Sequence, residues 1–194
     1  ATSSLAIYNA SYAVASGRFK NVLAIGVEKM NLLGTADMSH ALACSSYWPE
    51  EGSKGMTFPG LFAELGKAYQ EQYKLNDETL RQMLAHISAS NYSNGIQNPL
   101  AHFGPGSLPD KLQLVTAEAI LNLPDSGKGS NPMVAAPLRL HDCSLVTDGA
   151  AAVVLTSSDN AIANFKHAVE LSGIGHVTER MMLKERLGTL HHLR

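Results

Sequence analysis

The sequence contains 194 residues, of which 45% are hydrophobic and 16% charged, and its formal net charge at pH 7 is −2. This length and composition indicate a globular protein with one domain, or with one domain and part of another. The nearly neutral charge, without a basic patch, argues against nucleic acid as the main partner. The charged fraction is below the usual quarter, which indicates that further chain, a dimer partner or extensive burial of helices covers part of the surface.

The number and spacing of the cysteines and histidines indicate the redox environment of the protein and whether it could bind zinc. The two cysteines, Cys44 and Cys143, occur in a sequence without a secretory pattern or an apolar run of about 18 residues. Such a sequence predicts a reducing compartment. We expect the cytoplasm, or a peroxisome or mitochondrion in a eukaryote. No pair has the His-x-x-x-His or Cys-x-x-Cys spacing of zinc sites, so we expect no metal and no membrane span.

The first elements predict an α/β fold. Residues 3–16 are apolar on nearly all sides, which is typical of a buried helix, and Gly17 is suited to cap its C-terminus. The continuous apolar run 21–27 predicts a strand covered on both faces of a sheet. A helix followed by a strand is half of a parallel α/β unit.

Long loops and amphipathic helices replace this pattern between residues 31 and 140 and predict a helical insertion. Apolar residues at helical spacing predict a helix over 61–73. Asn76 or Asp77 is suited to cap a second helix that runs to residue 90, and a shorter helix is predicted over 116–121.

Strand character returns near the end of the chain. Residues 151–156 are small or β-branched and predict a strand, and a short helix then ends near Phe165. Residues 168–176 predict a further strand.

Four segments, matched in order and spacing, carry a resemblance to a known family. They are residues 16–30, 57–63 (TFPGLFA), 131–143, and 144–155 (SLVTDGAAAVVL). Together they resemble the thiolase superfamily, specifically the thiolases related to sterol carrier protein X. The resemblance covers most of residues 1–180.

The resemblance implies a thiolase-like α/β fold with a partial N-terminal domain and a helical loop-domain insertion. It assigns residues 1–30 to the N-terminal core, 31–140 to the loop-domain insertion, 141–166 to the last part of the N-terminal core, and 167–194 to the start of a truncated C-terminal domain. Three of the family's five strands would precede Ala1. We therefore expect unpaired or foreign-paired strand edges near residues 22–27 and 151–156.

The resemblance also implies a chemistry for the parent protein. Thiolases are acyl-CoA C-acyltransferases of lipid and fatty-acid metabolism that perform Claisen condensation or thiolysis of 3-ketoacyl-CoA through an acyl-cysteine. It implies coenzyme A thioesters as substrates, no separate cofactor, and a homo-oligomer such as a dimer.

The catalytic motifs of the family do not occur in this sequence. The family nucleophile stands at the start of a helix in a Cys-Ala-Ser/Thr context, whereas this sequence opens Ala1-Thr2-Ser3, and the family's catalytic His and second Cys motifs are missing before Arg194. We interpret the sequence as an internal piece of a thiolase-like protein. We expect no catalytic residue in it, and we expect the isolated piece to be inactive.

Substrate-binding residues are implied by position in the family pattern. Phe58, Pro59 and Gly60 match the segment that lines the pocket near the thioester, and Ser144 matches a serine that contacts the pantetheine arm. Many family members have His-Met in place of Phe58-Pro59, so the site here is more apolar. A core aromatic is the alternative interpretation of Phe58. We expect Phe58 and Ser144 to face one cleft.

The other polar residues are interpreted as structural. Tyr92 stands where the family commonly has a histidine, and Cys44 and Cys143 lack the helix-start position of a nucleophile. The histidines His86, His102 and His141 lack the loop context of a catalytic base.

Two alternatives to an acyltransferase remain. The first is a non-enzymatic thiolase homologue that serves as an acyl-CoA or lipid-binding scaffold. The residue before Ala1 in the gene discriminates the two, because a cysteine there supports the enzyme. The second is a ketoacyl synthase, which shares the fold but matches residues 131–154 less well.

Overall fold

The structure, a computed structural model, describes residues 2–189, and only the backbone of Thr2 and Thr189. These residues form two compact units. The first combines the residues up to Leu32 with Val146–Thr178, and the second combines Leu33–Leu145 with the residues from Glu179 onward.

Helices predominate in the described part of the chain. The helices are α1 (Thr2–Ala15), α2 (Thr35–Ala43), α3 (Phe58–Gln72), α4 (Asp77–Gly95), α5 (Leu108–Lys111), α6 (Ala117–Leu121) and α7 (Ser158–Asn164). The strands are β1 (Asn21–Glu28), β2 (Met133–Ala135), β3 (Leu138–Arg139) and β4 (Gly149–Thr156). Short 3-10 turns occur at Gly52–Lys54, Leu140–Asp142, Leu183–Glu185 and Leu187–Thr189.

The first unit is built on an antiparallel pair of strands, β1 and β4, with α1 packed against both. Gly17 has φ of +73° and ends α1 as predicted. The parallel arrangement suggested by the helix-then-strand order is wrong for the described strands. The chain leaves β1 and enters β4 at the same end of the sheet, where Glu28 pairs with Gly149, so the two strands run in opposite directions.

The sheet of the first unit has two strands only, so each strand has one edge without a strand partner among the described residues. This confirms the predicted unpaired edges. The predicted cover on both faces is wrong for this structure, because Leu23, Ile25 and Val27 are 55%, 57% and 72% exposed. Helix α1 is likewise less buried than predicted, since Tyr12 is 57% exposed.

The second unit is helical, as the pattern of residues 31–140 predicts. The predicted helices correspond to α3, α4 and α6, which begin after Thr57, Asn76 and Thr116. Each of these three residues accepts a hydrogen bond from a backbone N–H three positions later, which is N-terminal capping. Helix α4 continues to Gly95, five residues past its predicted end, and this extension contains the buried Tyr92.

The core of the second unit lies between α4 and the segment that contains α6. Its buried residues are Ala85, Ala89, Tyr92, Leu114, Ala117 and Ile120. Helix α2 and the β2–β3 hairpin were not predicted. The strand predicted over 168–176 is wrong: these residues form no helix or strand.

Candidate functional site

Phe58, Pro59 and Gly60 form the first turn of α3. Thr57 precedes them, and its Oγ1 accepts a hydrogen bond of 3.2 Å from the Gly60 N–H. The Phe58 ring is half-buried and contacts the ring of Phe62, which is 50% exposed, at 5.1 Å between centroids. An aromatic pair therefore lies at the surface beside the predicted substrate-binding turn.

Ser144 belongs to a stretch that we call the Ser144 loop, residues 140–145, whose members range from half-buried to exposed. The loop starts with the 3-10 turn Leu140–Asp142, and Ser144 itself is exposed. Phe58 and Ser144 lie in the same compact unit. That the two residues face one cleft stays a prediction.

A polar cluster anchors His141 of the Ser144 loop from inside the second unit. The Tyr92 hydroxyl and His141 Nδ1 are 2.7 Å apart. The Ser88 hydroxyl donates to the His141 carbonyl oxygen at 2.8 Å, and the His141 N–H donates to Asn131 Oδ1 at 2.9 Å. Tyr92, Ser88 and Asn131 are 7%, 6% and 1% exposed, so these bonds are shielded from water.

The next residue of the loop is anchored by charge. Asp142, whose side chain is 1% exposed, lies 3.3 Å from Arg81 Nη1 and accepts a hydrogen bond of 2.8 Å from the Arg139 N–H. A carboxylate buried in this way needs both a cation and hydrogen-bond donors. Arg81 and the Arg139 amide supply them.

Burial fixes the protonation states of this cluster. It raises the pKa of Tyr92 to about 12, with further contributions from the charges of Asp142 and Cys143. Burial also lowers the pKa of His141, although the Ser130 carbonyl and Asp142 favour the protonated ring. At pH 7 the Tyr92 hydroxyl therefore stays protonated and can donate a hydrogen bond to Nδ1 of a neutral His141 ring.

Neither cysteine is set up as a nucleophile. Burial, and secondarily the charge of Asp142, raises the pKa of the Cys143 thiol, and its Sγ lies 3.5 Å from the Arg139 carbonyl oxygen, to which it donates. Cys44 is exposed and caps the C-terminus of α2, where the helix dipole disfavours a thiolate.

In the first unit, the Asp148 carboxylate joins the segment that precedes β4 to the residues that follow β1. It lies 2.9 Å from Lys29 Nζ and accepts hydrogen bonds from the Met30 and Asn31 N–H groups at 2.8 and 3.2 Å. The Lys29 ammonium group, followed by the Met30 amide, holds the pKa of Asp148 below its ordinary value.

A small apolar cleft of about 130 Å³ lies between α1 and the strand pair of the first unit. Its lining includes Ser3, Ala6, Gly26 and Ala151. Helix and strand approach closely here, because a Cβ added to Gly26 would lie 3.3 Å from Ser3 Oγ. The small residues of the Ala-rich run therefore serve close packing on one face of the sheet.

The anchoring residues of the second unit were not predicted from the sequence. Arg81, Ser88 and Tyr92 are spaced by seven and four positions on α4, which places them on one helix face. That polar stripe on a helix with a buried face is the signal that could have revealed them. Within residues 2–189 no group of three or more His, Cys, Asp or Glu side chains could hold a metal ion, and no helix there is long and apolar enough to cross a membrane.

Comparison with known proteins finds two similar sequences that carry the same name, acetyl-CoA acetyltransferase. The chain is 39% identical over 161 residues to an acetyl-CoA acetyltransferase of Methanothermobacter thermautotrophicus, and 37% identical over 161 residues to one of Methanocaldococcus jannaschii. Each alignment covers 83% of this chain and 36% of the relative. The chain thus spans little more than a third of the length of these relatives.

The structural comparison shows a shared fold. A chain of a solved structure named Ltp2-ChsH2(DUF35) aldolase has a TM-score of 0.58 to this chain, with 18% identity, and the match covers 82% of this chain and 36% of that one. No protein-family model matches the sequence. The relatives at 39% and 37% identity support the resemblance found in the sequence: the chain is homologous to part of proteins named acetyl-CoA acetyltransferase.

Proposed function

We propose that the chain is part of a thiolase-type acyl-CoA C-acyltransferase that condenses acyl-CoA units or cleaves 3-ketoacyl-CoA through an acyl-cysteine. The 39% identity to a protein named acetyl-CoA acetyltransferase is the observation that carries the proposal. In this proposal the chain has a thiolase-like fold, and its substrates are coenzyme A thioesters without a separate cofactor. The parent protein acts as a homo-oligomer in the cytoplasm or an organelle.

The contribution of this chain is to bind substrate. The first turn of α3 contacts the acyl part and the methylene groups next to the thioester. The partly exposed pair of Phe58 and Phe62 supports this role, because aromatic surface binds apolar groups well. The exposed hydroxyl of Ser144 supports its assignment as a hydrogen-bond partner of the pantetheine amides.

The covalent step requires a thiolate nucleophile, and neither cysteine of this sequence supports one. The raised pKa of the Cys143 thiol and the helix C-terminal position of Cys44 both disfavour the thiolate. The 194-residue chain is therefore expected to bind coenzyme A without turning over acetoacetyl-CoA. Turnover that disappears in Cys143→Ala would contradict this assignment.

The binding test uses the 194-residue chain and isothermal titration calorimetry with coenzyme A. Phe58→Ala and Ser144→Ala should each weaken binding about tenfold, the effect of one lost contact of about 1.4 kcal/mol. Phe165→Ala is the matched control, because Phe165 is also surface-exposed but lies in the other unit. Equal affinities in all four proteins would reject the assigned binding site.

A further inference from the structure

We propose that Tyr92 is a positioning residue, which acts through His141 to hold the Ser144 loop in the conformation that presents the Ser144 hydroxyl to the pantetheine arm. This inference rests on the proposed function of Ser144. Tyr92 itself is a core residue of α4 and touches no substrate in this proposal.

The hydrogen bonds to His141 come from two separate parts of the unit. Tyr92 and Ser88 on α4 bind the imidazole Nδ1 and the carbonyl oxygen, and Asn131 binds the N–H. Ring orientation and backbone position of His141 are thus both fixed. Ser144 lies three residues further on, where its own side chain is exposed.

The anchoring is directional because Tyr92 is well buried. The ring of Tyr92 packs edge-on against Phe103 at 5.3 Å and against His141 at 5.7 Å. Its hydroxyl therefore has little freedom to find a partner other than His141 Nδ1. Loss of the Tyr92 hydroxyl would leave the buried Nδ1 of His141 without this partner, and a buried unpaired polar group favours rearrangement of the segment that carries it.

A less ordered Ser144 loop weakens coenzyme A binding even when no contact with the ligand is removed. Ordering of a mobile segment on binding opposes association. The Ser144 loop is ordered in advance by the bonds at His141 and by the Arg81–Asp142 pair. Without the Tyr92 hydrogen bond, part of the loop becomes ordered only when the ligand binds, and the entropy lost in that ordering weakens binding.

A double-mutant cycle tests whether Tyr92 acts through Ser144. Tyr92→Phe keeps the ring in the core and removes only the hydroxyl. We expect it to weaken coenzyme A binding about tenfold in the wild-type background and to have no further effect in the Ser144→Ala background. Tyr73→Phe is the control, since Tyr73 is an exposed residue at the end of α3. An equal loss in both backgrounds, or no loss in either, would overturn the proposal.

Amide hydrogen exchange separates this proposal from the proposed function. In Tyr92→Phe, residues 140–145 should exchange at least about tenfold faster than in the wild type, while β1 and β4 keep their rates. Unchanged exchange overturns the positioning role. Fast exchange in a chain whose wild type binds no coenzyme A supports the anchoring by Tyr92 and rejects the binding role of Ser144.

Discussion

Replacement of Tyr92 by phenylalanine should change the pH dependence of stability in a direction that the structure specifies. In the folded protein the pKa of Tyr92 is raised to about 12 by burial, against about 10 in an unfolded chain. A raised pKa contributes stability that is complete below the unfolded value and is lost as pH rises toward the folded value. The relevant window is therefore about pH 10 to 12.

The magnitude follows from the size of the shift. Two pKa units correspond to about 2.7 kcal/mol, so the wild type should lose that amount relative to Tyr92→Phe across the window. Near pH 8 the variant should be the less stable protein by about 1–3 kcal/mol, because its His141 Nδ1 has lost a donor. As pH rises above 10, the two free energies of unfolding should converge and then cross.

Urea unfolding at pH 8, 10 and 11, monitored by circular dichroism, measures both effects. Both proteins contain the other five tyrosines, so the difference between their free energies of unfolding cancels the contributions of those residues. A difference that stays constant from pH 8 to 11 would refute the assignment of Tyr92 as a buried, proton-donating hydroxyl. Ultraviolet difference absorbance of tyrosinate, wild type minus variant, should show the missing ionisation near pH 12 instead of 10.

Three other perturbations have expected outcomes. Burial lowers the pKa of His141, so the contribution of the neutral His141 ring to stability is complete above about pH 6.5 and is lost as pH falls below that value. His141→Gln should therefore show a weaker loss of stability than the wild type between pH 7 and 5. Arg81→Met should cost about 3 kcal/mol in urea unfolding, because the 1%-exposed side chain of Asp142 loses its cation, whereas Lys67→Met in the exposed Glu64 pair should cost less than about 1 kcal/mol. A comparable cost for both would contradict the buried pair. Gly52→Ala would place a Cβ 2.3 Å from a ring atom of Trp48. It should cost about 1–3 kcal/mol and shift the fluorescence of this single tryptophan. Gly149→Ala, whose added Cβ would meet no atom within 4 Å beyond its chain neighbours, should leave that fluorescence unchanged.

The local elements could be predicted because their signals are local. A capping residue and a helical repeat of apolar side chains define α3, α4 and α6, and these need no knowledge of the rest of the chain. The His141 cluster could not be predicted in the same way. Its members Tyr92 and His141 are 49 positions apart, and each alone reads as an ordinary core or surface residue. Only the packing of α4 against the Ser144 loop makes their bond visible.

The pairing of β1 illustrates a different limit. The run 21–27 indicates a strand with apolar side chains on both faces, and the structure confirms the strand but covers only one of its faces. Residues Leu23, Ile25 and Val27 alternate with Gly26, which faces Ser3 of α1, so they lie on the other face of the strand. They stand opposite Val154, Ala152 and Ala150 across the strand pair. A sequence pattern shows how apolar a strand is, and therefore that its faces are suited to burial. It does not show which segment packs against those faces. A two-stranded sheet is at best marginally stable in water. The described residues alone leave this apolar face of β1 exposed to water, without the burial that would stabilise the sheet.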